Sequence, residues 1–210
     1  MHLQRPTNTS MNNTLTSLVT ASGDDLVTGL GKSYGILFDV ETTPTSSSLV
    51  IAGMDLYLVD TTLSTHYEIW TKTGSWEDIA VLTTKPADYL TGFHKVSHGT
   101  ITSKRAASDF SKISLQEFQD VEILGGGTRQ AFYITLSDNL LLFKSYETPH
   151  GLVSSRHEMA SIVQASNTAL QVYYGAAVRA YPLELADPTT DFWDNAGFVG
   201  RIWTKQYSHD

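Results

Sequence analysis

The sequence predicts an all-β protein, a single antiparallel β-sandwich of jelly-roll-like type with about ten strands. Three observations predict it. The chain holds 26 Thr together with 22 aromatic residues (10 Tyr, 8 Phe and 4 Trp), residue types that favour a pleated, half-buried surface. No segment keeps apolar residues at i, i+3, i+4 and i+7 over three helical turns. Fifteen Gly and six Pro punctuate the chain, mostly singly, at the intervals of short strands and turns. A chain of 210 residues hides about 70% of its extended surface on folding, so one core holds without the disulfides that the absence of cysteine forbids.

Residues 1–14 (MHLQRPTNTSMNNT) are polar and without period, and are expected to form a flexible arm ahead of a domain over 15–210. Asn8-Thr9-Ser10 and Asn12-Asn13-Thr14 match the short glycosylation pattern. Alternation begins at Leu15. Tyr34–Val40 is a dense apolar strand, closed by the polar loop Thr43–Ser48. Leu49–Val59 is the longest apolar stretch, and its uniformly apolar set Val50, Ala52, Met54, Leu56 and Leu58 is the expected core face. His66–Lys72 alternates Tyr67, Ile69 and Thr71 with His66, Glu68, Trp70 and Lys72. Asp78–Thr84 reads as a further strand, and 86–112 is irregular. Gly125-Gly126-Gly127 reads as a hairpin turn. Ala131–Leu136 and Leu140–Tyr146, separated by Ser137-Asp138-Asn139, read as a β-hairpin. Glu158–Gln164 fits a strand or a helical turn, and Leu170–Tyr174 and Phe198–Tyr207 complete the strands.

Charge narrows the partners. Fourteen Lys and Arg against 22 Asp and Glu leave −8, which disfavours nucleic acid and anionic membranes. No run approaches the roughly 18 apolar residues of a membrane-spanning helix, so membrane insertion is not expected. No thiol nucleophile and no cysteine-held metal are available.

Six segments in order resemble a domain found, often repeated, in secreted proteins of diatoms and marine bacteria. They are YGILFDV, LVIAGMDLYLV, HYEIWTKTGSW, GGGTRQAFYITL, ALQVYYGAAVRAYPL and FVGRIW, spread over about residues 30–207. The family pattern pairs a G-[IM]-x-F-D-[IV] strand with an apolar–Thr/Ala–Gly–apolar–Asp element. A turn of Tyr/Trp-Lys/Arg-x-Gly-Ser/Thr-aromatic type follows, matched by Trp70–Trp76. The resemblance implies an extracellular β-sandwich and no catalytic residues. Two departures stand out: no secretion leader is present, as in an excised or mature domain, and residues 86–112 are longer and more polar than the family's connection, which makes them a place for specific function.

The chemistry-bearing residues divide into several sets. His94 and His98 would share one face only on a helix, which Gly92 and Gly99 oppose. His157-Glu158 lacks the second histidine of a zinc-protease helix, and no Gly-x-Ser-x-Gly elbow is present. Gly125–Thr128 lacks the Gly-Lys-Ser/Thr of a phosphate loop. Asp39, Asp55, Glu68 and Glu122 fall on or beside strands, where two acids across a groove would suit glycoside hydrolysis. Asp187, Asp191 and Asp194, with Asn195, cluster in DPTTDFWDN and are the candidate ligands of a structural calcium ion, in a spacing unlike an EF-hand. Trp76 and Trp193 lie in predicted loops and are the candidate ligand-binding residues, since an exposed indole offers a flat face to a sugar ring. Trp70 and Trp203 lie in predicted strands and are expected in the core.

The expectation is a non-catalytic extracellular module that recognises carbohydrate or extracellular matrix. The alternative is a structural subunit that binds copies of itself in a filament, layer or shell, using its polar arm to add a strand to a neighbour.

Overall fold

A computed structural model describes residues 14–21, 30–59, 62–78, 89–103, 110–146, 160–187 and 190–206. The strands are β1 Thr14–Val19, β2 Leu30–Ser33, β3 Gly35–Thr42, β4 Leu49–Leu56, β5 Ser64–Thr73, β6 His94–Thr102, β7 Ser111–Lys112 and β8 Val121–Ile123. They continue with β9 Arg129–Leu136, β10 Leu141–Ser145, β11 Val163–Ser166, β12 Leu170–Tyr173, β13 Gly175–Val178, β14 Phe192–Phe198 and β15 Gly200–Gln206. Fifteen strands among the described residues exceed the expected ten in part because the nine-residue β6 lies in 86–112, expected to be irregular, and because β7 and β8 have two and three residues, too few for alternation to register. The expected strand at 78–84 and most of the 1–14 arm lie outside the described residues; Thr14 already belongs to β1.

Two antiparallel sheets pack face to face. The smaller runs β1-β15-β4-β7, with β8 also on β4. The larger runs β2-β10-β14-β13-β3-β9-β5-β6, and β12 and β11 extend it beside β3. Between them Phe38 stacks on Phe132 and Phe198, with centroids 5.8 and 4.6 Å away, among Ile36, Ile51, Ile134, Phe143 and Ile202, all fully buried. Rings at these separations contribute beyond the area they bury.

Three connections depart from the sequence reading. The expected core face of β4 changes side halfway. Trp203 pairs with Gly53 but Thr204 pairs with Ile51, so Ala52 is an extra residue in the ladder. This bulge turns Leu49 and Ile51 inward before it and Met54 and Leu56 inward after it, while Val50 and Ala52 leave the main core. β9 and β10 do not form a hairpin. β9 already bonds β3 on one edge and β5 on the other, which leaves no ladder groups for β10, and β10 joins β2 and β14 instead. Nor is the triple glycine a hairpin turn. It carries the chain from β8 in the smaller sheet to β9 in the larger, with Gly126 and Gly127 at φ 75° and 84°.

The larger sheet is covered on its outward face as well. Leu37, Ala131, Tyr133, Ala176 and Val178 lie beneath Trp76, Tyr89, Ala160, Leu183 and Ala186, which form a second apolar cluster. A residue facing away from the sandwich core on β3 or β9 can therefore be fully buried.

Candidate functional site

The two candidate tryptophans separate. Trp76 is fully buried in the second cluster, so it offers no stacking face, and its expected ligand-binding role is corrected. It follows Gly74, at φ 93°, in a turn pressed onto β3 and β9, and its backbone N–H donates to Asp39 Oδ1 at 2.8 Å. Trp193 is 43% exposed on β14. Phe143 meets it edge-on at 5.5 Å, and the Arg179 guanidinium lies 4.4 Å from its ring centroid. Trp70 and Trp203 stand on strands but are only half-buried on outward faces, not in the core. Each indole N–H finds a carboxylate on the neighbouring surface: Trp70 donates to Glu68 Oε2 at 3.1 Å and Trp203 to Asp55 Oδ2 at 3.0 Å.

The four acids considered for paired carboxylate chemistry are not brought together. Asp39 faces outward from the larger sheet and Asp55 outward from the smaller, with the sandwich between them. Glu68 is held by Lys95, and Glu122 stands exposed on β8. Instead Asp39 and Glu41, two positions apart on β3, share one cation. Arg129 donates through Nε to Glu41 Oε2 at 2.8 Å, reaches Asp39 Oδ2 from Nη1 at 3.5 Å, donates to the Ala160 carbonyl at 3.0 Å and stacks on Tyr173 at 4.2 Å. The Ser75 hydroxyl donates to Asp39 Oδ2 at 2.6 Å. Burial pushes the Asp39 carboxyl up to about 7, and Ser75, the Trp76 N–H and Arg129 only partly oppose it. Burial likewise lowers Lys72 on the neighbouring strand, against Asp78 and Asp39. These contacts brace the covering layer against β3 and β9. Glu41 went unnoticed in the sequence, and Ser75 drew notice only as the centre of an incomplete Gly-x-Ser-x-Gly elbow at Thr73–Trp76.

Asp187, Asp191 and Asp194 follow the loop into β14. The Asp191 carboxylate accepts the Asp187 backbone N–H at 2.8 Å, and the Asp187 carbonyl accepts the Asp191 N–H at 3.0 Å, so the loop closes on itself. Asp194 pairs in register with Ala176, ahead of a bulge at Asn195, φ 77°. Among the described residues no three His, Asp or Glu gather closely enough to hold a metal ion. His94 and His98 lie on β6, where four strand positions span about 13 Å.

An open groove lies at the β6 edge of the larger sheet. It is lined by Lys95, Ser97 and His98 of β6 and by Gln116, Glu117 and Gln119 of the segment that crosses it. Among the described residues no helix is long and apolar enough to cross a membrane. The fold and these sites define an antiparallel β-sandwich with a covered outer face and polar surface sites. No protein-family model and no curated protein matches the chain.

Proposed function

We propose that the protein is a non-catalytic, extracellular β-sandwich module that recognises carbohydrate or a matrix partner. The observation that carries this reading is Trp193. A large indole left 43% exposed on a strand, with the Arg179 guanidinium against its ring, offers both an apolar platform and planar hydrogen-bond donors. The acid clusters support a non-catalytic role, since Asp39 and Asp55 are committed to internal donors. The resemblance to the repeated domain of secreted proteins supports the same reading. Residues from all six motif segments meet in two clusters, Asp39–Ser75–Trp76–Arg129–Tyr173 and Asp55–Arg201–Trp203.

Affinity electrophoresis against a panel of polysaccharides, with wild type and Trp193→Ala, tests the reading. Retardation by at least one polymer, weakened about tenfold in the variant, is expected. No retardation of the wild type in any gel would refute it. A self-assembling subunit is the second reading, favoured by β1, which among the described residues pairs with β15 alone and stands at the edge of the smaller sheet directly after residues 1–13. On that reading, removing residues 1–13 dissociates assemblies seen by light scattering.

A further inference from the structure

We infer that the groove at the β6 edge is a separate binding subsite for an uncharged polysaccharide; this rests on the carbohydrate reading above but not on Trp193. The groove exists because a short segment is pinned across the side of the sandwich. Ser114 caps the 3-10 turn Leu115–Glu117, its Oγ accepting the Gln116 N–H at 3.3 Å. Leu115 seats over Gly53 of β4, where even a Cβ would come within 2.4 Å of its side chain. Phe118 enters the main core, Ser97 and Phe118 form a single β-bridge, and the Gln119 N–H donates to the Val96 carbonyl at 2.7 Å. The walls are thereby fixed before any ligand arrives, which lowers the ordering cost of binding.

The chemistry of the lining points to sugar hydroxyls. Its charges are satisfied internally. Glu117 accepts the Tyr67 hydroxyl at 3.3 Å through Oε2, while Ser97 Oγ donates to the Glu117 carbonyl at 2.9 Å. Lys95 is ion-paired with Glu68 and lies over the Trp70 ring, 4.7 Å from its centroid. Exposed in the lining beside them are the Gln116 and Gln119 carboxamides and the His98 imidazole. A carboxamide both donates and accepts, as a sugar hydroxyl does, and carries no charge to select an anion. A groove volume of about 440 Å³ lies within the range of small-molecule sites and takes a few linked rings. The net charge of −8 further disfavours a polyanion.

The test is affinity electrophoresis in gels of galactomannan, xylan or dextran, uncharged, and of polygalacturonate, charged. Wild type, the exposed pair Gln116→Ala/Gln119→Ala and Trp193→Ala are compared, with unchanged melting temperature as the folding control. Retardation by an uncharged polymer that the double variant weakens about tenfold or more, while Trp193→Ala retains it, establishes the groove and removes Trp193 as the contact. Loss in both variants establishes two subsites. Loss only in Trp193→Ala, or retardation by polygalacturonate alone, overturns the groove and leaves the recognition reading standing. No retardation in any gel overturns both.

Discussion

Asp39 and Asp55 occupy equivalent places on opposite sheets, yet their surroundings differ. Both face outward from a central strand, both are almost without solvent exposure, and both lie beside an arginine of a neighbouring strand. Asp55 is served by the Ile113 backbone N–H and the Lys112 charge at β7, and from β15 by the Trp203 indole at 3.0 Å and by Arg201, which stands directly across the ladder with Nη1 at 3.7 Å. Those two side chains are half-buried, so water reaches the partners when the carboxylate is removed. Asp39 is served by the Ser75–Trp76 turn and by Arg129, against a second apolar cluster in which Trp76 is fully buried. Burial raises both carboxyls, Asp39 to about 7. The difference teaches that the outer layer, rather than the strand position, decides what a buried acid costs and what it holds.

Asp39→Ala should therefore have the largest effect. It leaves the buried Trp76 N–H without its acceptor and removes one partner each from the part-buried Ser75 hydroxyl and Arg129, and a loss of about 3 kcal/mol is expected in urea unfolding. A loss below about 1 kcal/mol would mean that the turn is held by Trp76 packing alone. The pH dependence sharpens the same contrast. Between 3.8, where a free aspartate titrates, and about 7, the folded protein keeps a proton on Asp39 that the unfolded chain has released. The Asp39 contribution therefore raises stability as pH falls from about 7 towards 4, by roughly 1.4 kcal/mol per unit, or about 2 kcal/mol from pH 7 to 5. Asp39→Asn should flatten that part of the profile, and parallel wild-type and variant profiles would show that Asp39 does not titrate there.

Asp55→Asn should cost less, about 1–2 kcal/mol, because Arg201 and Trp203 regain water. A cost matching that of Asp39→Ala would erase the contrast between the sheets. The smallest effect is expected for Trp203→Phe, which keeps most of the ring but removes the indole N–H from Asp55, at about 1 kcal/mol by thermal unfolding. If that change exceeds Asp55→Asn, ring packing rather than the hydrogen bond dominates at the smaller sheet.

Much of the architecture was legible as periodicity. The inward set Tyr67, Ile69 and Thr71 of β5 lies buried as its alternation requires, and the apolar run at β3 is a strand closed by the loop at Pro44. The break in β4 was not legible, because Ala52-Gly53 reads as two more small residues in an apolar run until Trp203 and Thr204 pair around them. The tandem strands β9 and β10 look like a hairpin locally, and only competition from β3 and β5 for both edges of β9 separates them. At the candidate sites, loop position alone gave Trp76 and Trp193 the same expectation. Their fates diverged because one loop folds back over a sheet and the other residue ends on a strand at the surface.

The sequence by itself determined the class. Thr-rich alternation, aromatic residues and dispersed glycines permit strands and little else, and two-residue periodicity is a local property that needs no partner. The tertiary structure alone decided which acids are buried and which cations meet them. Arg129 and Glu41 are 88 positions apart and touch only because β3 and β9 pair antiparallel in one register. Asp39 is dry only because a turn and distant segments settle over it. Desolvation depends on everything within a few ångströms, and no sequence window contains that neighbourhood.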